Sequence, residues 1–276
     1  MAATNSKISR RQFLKASATA VVSLAVVGSA AYYFKDKKSL REKGWLRPPG
    51  SRAEEDFLFA CIKCGLCVQI CPVHAIKLAD WTDGLAYGTP YIDPDVQACD
   101  FSCEAIQCAE TCPTAAIDFQ IFKHAGNEAV APLYKKYPNG QFPKDINPFE
   151  VQILAMRKAD KIGEAKLNAS QCLAVSGQGY KGKLGHGNEG ILRDPKTKER
   201  VKIEETEVNR EICDLCVVYC PLGDEAIVLE ETGGGKFVPK VLDGCVGCGV
   251  CQMVCPTDPV AIVVEPVEKK PEFSIS

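Results

Sequence analysis

Residues 61–72 read Cys61-Ile-Lys-Cys64-Gly-Leu-Cys67-Val-Gln-Ile-Cys71-Pro72. Spacers of two residues separate the first three cysteines, and a spacer of three residues leads to the fourth, which a proline follows. This is the ligand run of a 4Fe–4S cluster in bacterial ferredoxins, where a short turning loop aims three thiolates at one cluster and the fourth cysteine binds another. The stretch therefore predicts a second run elsewhere in the chain.

Three further cysteine runs lie downstream. The second, which ends at Pro113, has longer spacers, and the fourth, which ends at Pro256, has the regular spacing again. The third, which ends at Pro221, lacks its first cysteine, because Arg210 stands at the matching position. Exchanging the last cysteine between paired runs predicts four 4Fe–4S clusters: site 1 with Cys61, Cys64, Cys67 and Cys112; site 2 with Cys71, Cys99, Cys103 and Cys108; site 3 with Cys172, Cys213, Cys216 and Cys255; and site 4 with Cys220, Cys245, Cys248 and Cys251.

Cys172 is assigned to site 3 because it is the one cysteine that the runs leave over. It precedes a glycine- and lysine-rich stretch, 176–200, which we interpret as an exposed loop inserted between a ligand and its run. The alternative is a buried free thiol beside a three-iron cluster. Both interpretations stay open at the level of sequence.

An internal repeat follows the cysteine–proline pairs. Ile76 and Ile117 each lie five residues after their cysteine, whereas Ile227 and Ile262 each lie seven residues after theirs. Each isoleucine follows an alanine and precedes further apolar residues, a pattern typical of a short buried strand. Because the offsets agree within pairs and differ between pairs, we predict an α+β fold of two tandem bacterial-type two-cluster ferredoxin modules, with short strands and helices and long loops.

Composition limits the function classes. The chain has 276 residues, 46% of them apolar and 25% charged, with a net charge of −2 and sixteen cysteines. This charge balance gives no reason to expect nucleic acid as a partner. An exported protein with many cysteines could use them in disulfides, but disulfides do not require the observed spacing. No residues form a recognisable catalytic nucleophile, haem-attachment or flavin motif, so we predict no catalytic residues.

The first 34 residues carry the pattern of an export signal. Ser9-Arg10-Arg11-Gln12-Phe13-Leu14-Lys15 precedes an apolar run from Ala16 to Phe34. Twin arginines before such a run are typical of a Tat signal, a route that suits proteins folded around their cofactors. A plain membrane anchor is the alternative. Cleavage after Ser29-Ala30-Ala31 and retention as an inner-membrane anchor both remain open.

The segments between the motifs complete the layout. A helix is predicted to begin near Ala53 and to place Cys61 at its site. A second, amphipathic helix is predicted over 149–166, where it packs on a module or, alternatively, lies on a membrane surface. The predicted layout is a signal or anchor over 1–34, a tether over 35–52, module 1 over 53–122, a connecting segment with a helix over 123–170, module 2 over 171–268 with its insertion over 176–200, and a tail over 269–276.

The combination of features resembles a known family. The twin-arginine leader, Arg47-Pro-Pro-Gly50, the run Phe57-Leu-Phe-Ala-Cys-Ile-Lys-Cys-Gly-Leu-Cys and four sites in two modules resemble the NapG/MauM periplasmic ferredoxin-type proteins, from the leader to about residue 264. The resemblance implies a non-enzymatic, periplasmic electron-transfer subunit of a quinol dehydrogenase complex. It also implies a polytopic membrane ferredoxin-type partner that oxidises quinol, and a periplasmic reductase or cytochrome as acceptor. The long spacers of site 2 and the insertion after Cys172 depart from the pattern.

Two functions of different classes are consistent with the sequence. The first is an electron relay, in which four clusters in series conduct electrons and the insertion 176–200 docks a partner. The second, implied by the methylamine-utilization members of the family, is a maturation or assembly factor for a periplasmic redox enzyme. Residue patterns alone do not separate them.

Overall fold

The computed structural model describes residues 44–103 and 105–269. The predicted export signal over 1–34, the first half of the tether and the tail from residue 270 lie outside the described residues. Within them, no helix combines the length and the apolar character needed to cross a membrane. The compact unit that begins at Trp45 contains all sixteen cysteines.

Seven α-helices lie in the described residues, most of them short. The predicted helix before Cys61 is confirmed and begins with three acidic residues, which the partial positive charge of a helix N-terminus favours. Two longer helices form a hairpin between the second and third cysteine runs. The helices are α1 Glu54–Ala60, α2 Leu66–Ile70, α3 Gln107–Glu110, α4 Gln120–Lys136, α5 Pro148–Lys158, α6 Leu215–Val218 and α7 Val250–Met253.

The strands pair only as antiparallel two-stranded ladders. In the described residues these are β1 Ile76–Leu78 with β2 Pro90–Ile92, β3 Gly163–Leu167 with β10 Ile262–Pro266, β4 Tyr180–Lys183 with β7 Glu207–Arg210, β5 Ile191–Arg193 with β6 Arg200–Lys202, and β8 Ile227–Gly233 with β9 Lys236–Val241. The strand prediction is confirmed at Ile76, Ile227 and Ile262, which begin β1, β8 and β10. Ile117 forms only a single bridge, with Ser51.

The two halves of the fold close in the same way. In the first half, Ser51 lies before the first cysteine run and bridges Ile117, which follows the second run. In the second half, β3 lies before Cys172 and pairs with β10, which follows the last run. In both halves a segment before the cysteine runs thus pairs with a segment after them, through a single bridge in the first half and a ladder in the second.

The tether prediction is wrong for its last residues. Residues 46–51 are buried, and the Arg47 side chain is 7% exposed. Its guanidinium donates to Glu54 Oε1 and Oε2, Thr89 Oγ1 and the Pro90 carbonyl at 2.5–3.0 Å, and it lies 4.7 Å from the centre of the Phe57 ring. A buried charge is tolerated when it is paired and hydrogen-bonded. Arg47 therefore fastens the chain entry to α1 and β2.

The helix predicted over 149–166 is shorter than expected, because its periodicity runs on into a strand. Helix α5 ends at Lys158, with Ala159 as its C-cap, and Ile162 directly precedes β3. Helix α4 was not predicted at all. The two helices pack closely at Gly126, where an added Cβ would lie 2.9 Å from Gln152 Cγ and 3.0 Å from Met156 Cγ. A glycine here therefore permits the close approach of α5.

The prediction of an exposed loop over 176–200 is also wrong. Leu184 and Leu192 are each 1% exposed, and the stretch contains β4, β5 and the first residue of β6. The Gln97 amide donates to the Ile191 carbonyl at 2.7 Å and accepts from the Ile191 N–H at 2.7 Å. The insertion packs against the residues that precede Cys99, so its central part is structural. Runs of exposed residues lie only at its two ends, over 176–179 and 196–200.

Candidate iron–sulfur centres

The four cysteines of site 1 surround one cavity. It has an empty volume of about 380 Å³, and Phe57, Ile62 and Leu66 complete its apolar wall. Burial raises the pKa of Cys67 to about 12, and repulsion from the site's other thiols adds to this shift. Gly65, with φ of 75°, turns the chain between Cys64 and α2, a conformation that glycine adopts without steric cost. The C-x2-C-x2-C loop can thereby aim three thiols inward.

Site 2 brings Cys71 from the first run to the cysteines of the second. Burial raises the pKa of Cys108, with repulsion from Cys103 and Cys71 as the next causes. Burial likewise raises the pKa of Cys99, followed by repulsion from Cys103 and Cys108. The backbone N–H groups of Ile106 and Gln107 point to Cys103 and oppose its shift. The four thiols of site 2 therefore lie close to one another despite the longer spacers between them.

Site 3 includes the cysteine that the sequence runs leave over. Cys172 is 8% exposed and lines a cavity with an empty volume of about 350 Å³ together with Cys213, Cys216 and Cys255. Burial raises the pKa of Cys213 to about 11, and repulsion from Cys255 and Cys172 contributes. The chain from β4 to β7 forms its own ladders between Cys172 and Cys213, so the insertion leaves the site geometry intact.

Site 4 also surrounds an apolar cavity. Its four cysteines line a cavity with an empty volume of about 360 Å³, and Leu222, Ile227 and Val246 are part of its wall. Burial raises the pKa of Cys248 and Cys251 above the ordinary value, and the other thiols of the site add to the shift. Gly247, with φ of 72°, allows the loop to lie against Gly163, since an added Cβ would be 2.1 Å from the Gly163 carbonyl carbon.

The residues of these sites fit 4Fe–4S clusters. All sixteen cysteines are free of disulfides, and three of the four groups line apolar cavities of nearly equal size. In the described part of the chain, no three His, Cys, Asp or Glu side chains are spaced to share one metal ion. A cubane binds its four thiolates at four different irons, so its site need not meet that condition. The raised thiol pKa values mean that binding must displace protons.

Known proteins match the chain over almost its whole length. The 4Fe-4S dicluster domain family matches residues 60–130, and the 4Fe-4S binding domain family matches residues 242–258. The methylamine utilization ferredoxin-type protein MauM of Methylorubrum extorquens is 30% identical over 264 residues, which are 94% of this chain and 90% of the relative. The ferredoxin-type protein NapG of Escherichia coli is 31% identical over 266 residues, which are 94% of this chain and 86% of that relative. The chain belongs to the NapG/MauM family of ferredoxin-type proteins.

This membership confirms the resemblance drawn from the motifs. The dicluster match includes every cysteine of sites 1 and 2, and the second match includes Cys245, Cys248, Cys251 and Cys255. As a NapG/MauM ferredoxin-type protein, the chain is a 4Fe–4S electron-transfer protein. No solved structure matches it.

This NapG/MauM protein also has sulfur hydrogen bonds that the sequence analysis missed. The backbone N–H groups of Ala75, Ile117 and Ala261 donate to the sulfurs of Cys71, Cys112 and Cys255 at 3.3, 3.5 and 3.3 Å. Each donor lies four to six residues past its cysteine, at or next to the repeated Ala-Ile pair. Hydrogen bonds to the sulfurs are one of the factors that set a cluster's reduction potential. The repeat thus positions backbone donors as well as strands.

Two threonines distinguish site 1 and site 3 from the others. The Thr114 hydroxyl lies 3.8 Å from the Cys112 sulfur, and the Thr257 hydroxyl lies 3.3 Å from the Cys255 sulfur. Both belong to a Cys-Pro-Thr sequence, whereas valine and leucine follow the prolines after Cys71 and Cys220. This difference was readable in the sequence.

Arg157 is a further charged group at site 2 that sequence reasoning did not single out. It extends from α5 and donates to the Phe101 carbonyl at 2.7 Å, and its charge opposes the rise that burial causes in the pKa of Cys103. Burial in turn lowers the pKa of Arg157 itself. This contact shows that α5 packs on the segment that carries Cys99 and Cys103. Its guanidinium would favour the more negative, reduced form of a cluster bound at site 2.

Proposed function

We propose that this chain is an exported relay that passes electrons through four 4Fe–4S clusters from a quinol-oxidising membrane partner to a periplasmic reductase or cytochrome. The observation that carries the proposal is the gathering of sixteen free cysteines into four groups of four. In this proposal the four groups form two tandem two-cluster modules.

The chain's residues have clear tasks in such a relay. A bound 4Fe–4S cluster accepts and releases one electron. At each site the cysteine thiolates hold the cluster, and apolar walls such as that of site 1 keep water from its faces. The backbone amides of Ala75, Ile117 and Ala261 adjust the reduction potentials of the clusters at sites 2, 1 and 3, respectively. No side chain has to make or break a bond in a substrate, so the relay requires no catalytic residue.

The surface around site 1 supports a protein partner at that end. Cys64 is exposed, whereas the other fifteen cysteines, all within the described residues, are buried or half-buried. Eight of the fourteen exposed large apolar side chains of the described residues fall between residues 59 and 87. A concentration of exposed apolar side chains is typical of an interaction site. The twin-arginine pattern and the family resemblance favour the membrane partner as its occupant.

Leu85→Glu tests this surface. Leu85 is 87% exposed and precedes Tyr87, whose ring lies 5.6 Å from the Lys63 ammonium beside Cys64. We expect the substitution to slow reduction of the protein by quinol in membrane vesicles of the source organism by about tenfold or more, since a charge placed in an apolar interface core typically costs more than 1.4 kcal/mol. The measurement is the reduction rate, followed by bleaching of visible absorbance.

Tyr134→Glu is the matched control. Tyr134 is 53% exposed on α4, in the hairpin that contains no cysteine, and its substitution introduces the same charge. It should leave both the rate and the iron content unchanged. Equal slowing by the two variants, or none by Leu85→Glu, would remove the assignment of the membrane partner to site 1.

The relay itself is tested by iron analysis and a redox titration. Protein purified without oxygen should contain about sixteen irons, four for each cluster. Electron paramagnetic resonance (EPR) during titration with a quinol analogue should show clusters that reduce reversibly in the quinol range. Sixteen irons with potentials too low for quinol would reject the quinol link and leave the maturation function or a stronger donor. Far fewer irons would reject the four-cluster relay.

A further inference from the structure

We infer that the electron route runs in the order site 1, site 2, site 4, site 3, and that it crosses between the two halves of the fold where residues 94–99 contact residues 248–253. We call this contact the junction. The inference rests on the proposed function, because it requires that all four sites hold clusters. Chain order alone would instead connect site 2 to site 3.

The exchanged cysteines link the sites within each half. Cys112, from the second run, lines the site 1 cavity, and Cys255, from the last run, lines the site 3 cavity. Site 4 in turn takes Cys220 from the third run. Site 1 is therefore paired with site 2, and site 3 with site 4, as expected for paired ferredoxin sites. A contact between site 2 and site 4 then makes the four sites a single unbranched series.

The junction brings two ligand residues into direct contact. The Cys99 N–H donates to the Cys248 carbonyl at 3.2 Å, so a single hydrogen bond joins a ligand of site 2 to a ligand of site 4. The neighbouring Ala98 N–H lies 3.1 Å from the Met253 sulfur. Ala98 and Met253 are both fully buried, so no water separates the two loops at this point. Electron tunnelling weakens steeply with distance, and bonded contact favours it.

Two further contacts fix the junction. Gly249 lies against Pro94, where an added Cβ would be only 2.8 Å from the Pro94 ring. The Gln252 amide, 5% exposed, donates to Asp95 at 2.6 Å and accepts from the Val264 N–H at 2.7 Å. A glycine in the site 4 loop and a buried glutamine in α7 therefore hold the two halves at close range. Site 1 and site 3 are left as the ends of the route.

The order is tested by removing one cluster at a time and recording EPR spectra of the fully reduced protein. Cys245→Ala with Cys251→Ala removes site 4, and Cys213→Ala with Cys216→Ala removes site 3. Neighbouring paramagnetic clusters broaden each other's signals and speed each other's relaxation. Loss of site 4 should therefore leave one magnetically isolated cluster, site 3, with a narrow and slowly relaxing signal. Loss of site 3 should leave no isolated signal.

The opposite result would overturn the order. If the protein crosses from site 2 to site 3, loss of site 3 isolates site 4, and loss of site 4 isolates nothing. Iron analysis of the unaltered protein keeps the two hypotheses apart. Too few irons would reject the proposed four-cluster function, whereas a full complement of iron with the reversed EPR pattern would reject only the order.

Serine variants supply a second measurement if an alanine pair does not fold. Cys245→Ser and Cys213→Ser keep an oxygen ligand, and each changes the spectrum of its own cluster. Site 4 labelled in this way should show magnetic coupling to two other clusters, because it lies inside the series. Labelled site 3 should show coupling to one. Coupling of labelled site 3 to two clusters would contradict the order.

Discussion

Replacing Cys172 with alanine is expected to remove about a quarter of the protein's iron and of its visible absorbance, since Cys172 is one of the four cysteines at one of four sites. The reason is geometric. The Cys172 thiol is buried in the wall of the site 3 cavity, where Cys213 and Cys216 both interact with it electrostatically. A cubane that loses one of its four thiolates is left with one iron that no cysteine binds. Iron analysis and the absorption spectrum measure the effect.

Two comparison variants sharpen this experiment. Cys213→Ala should cause the same loss, because it removes a ligand from the same site by the same change. Ser176→Ala, at an exposed residue just past Cys172 whose hydroxyl donates to the Leu173 carbonyl, should cause none. Full iron in Cys172→Ala beside a loss in Cys213→Ala would show that Cys172 is a free thiol. A three-iron EPR signal in the unaltered protein would point the same way.

The grouping of the cysteines could be predicted because ligand loops are local. A C-x2-C-x2-C loop brings three thiols together through its own turns, and the exchange of the fourth is inferred from the repeat. The structure gathers the cysteines in the groups that the spacing predicts, and that they bind iron stays a prediction. Cys172 could be placed only by elimination, because about forty residues separate it from Cys213. The chain returns to site 3 through the ladders β4–β7 and β5–β6, and no local sequence pattern predicts these ladders.

Helix α4 and the packing of residues 176–200 could not be predicted, because both segments contain residue types that disfavour the structure they adopt. Helix α4 contains Gly126 and Pro132, which both disfavour a helix in isolation. Packing against α5 overrides that preference at Gly126. The stretch 176–200 is rich in glycine and lysine, which are typical of loops, yet Leu184 and Leu192 bury it against the rest of the fold. The order of the sites could not be predicted from the sequence, because it depends on the junction between segments about 150 residues apart.

Removing the clusters is expected to abolish the protein's cooperative thermal unfolding. The cavities of site 1, site 3 and site 4 have empty volumes of about 380, 350 and 360 Å³, and much of the core packs around them. The net stability of a domain is only about 5–15 kcal/mol, and the free energy of binding a structural metal group adds directly to the free energy of folding. Losing the bonds that tie sixteen cysteines to their clusters should therefore remove more stabilisation than the fold has to spare.

Treatment with an iron chelator and a thiol reductant under anaerobic conditions provides the measurement, with circular dichroism followed during heating. The reductant prevents new disulfides among the sixteen thiols, which would otherwise support the chain artificially. Rebuilding the clusters with iron and sulfide should restore the transition, and this step separates metal loss from chemical damage. An unchanged transition in the iron-free protein would show that the fold exists without its clusters. Cluster binding stabilises the fold because the unfolded chain has no preformed site to bind a cluster. If the transition is unchanged, the short ladders and the α4–α5 hairpin stabilise the fold without that contribution.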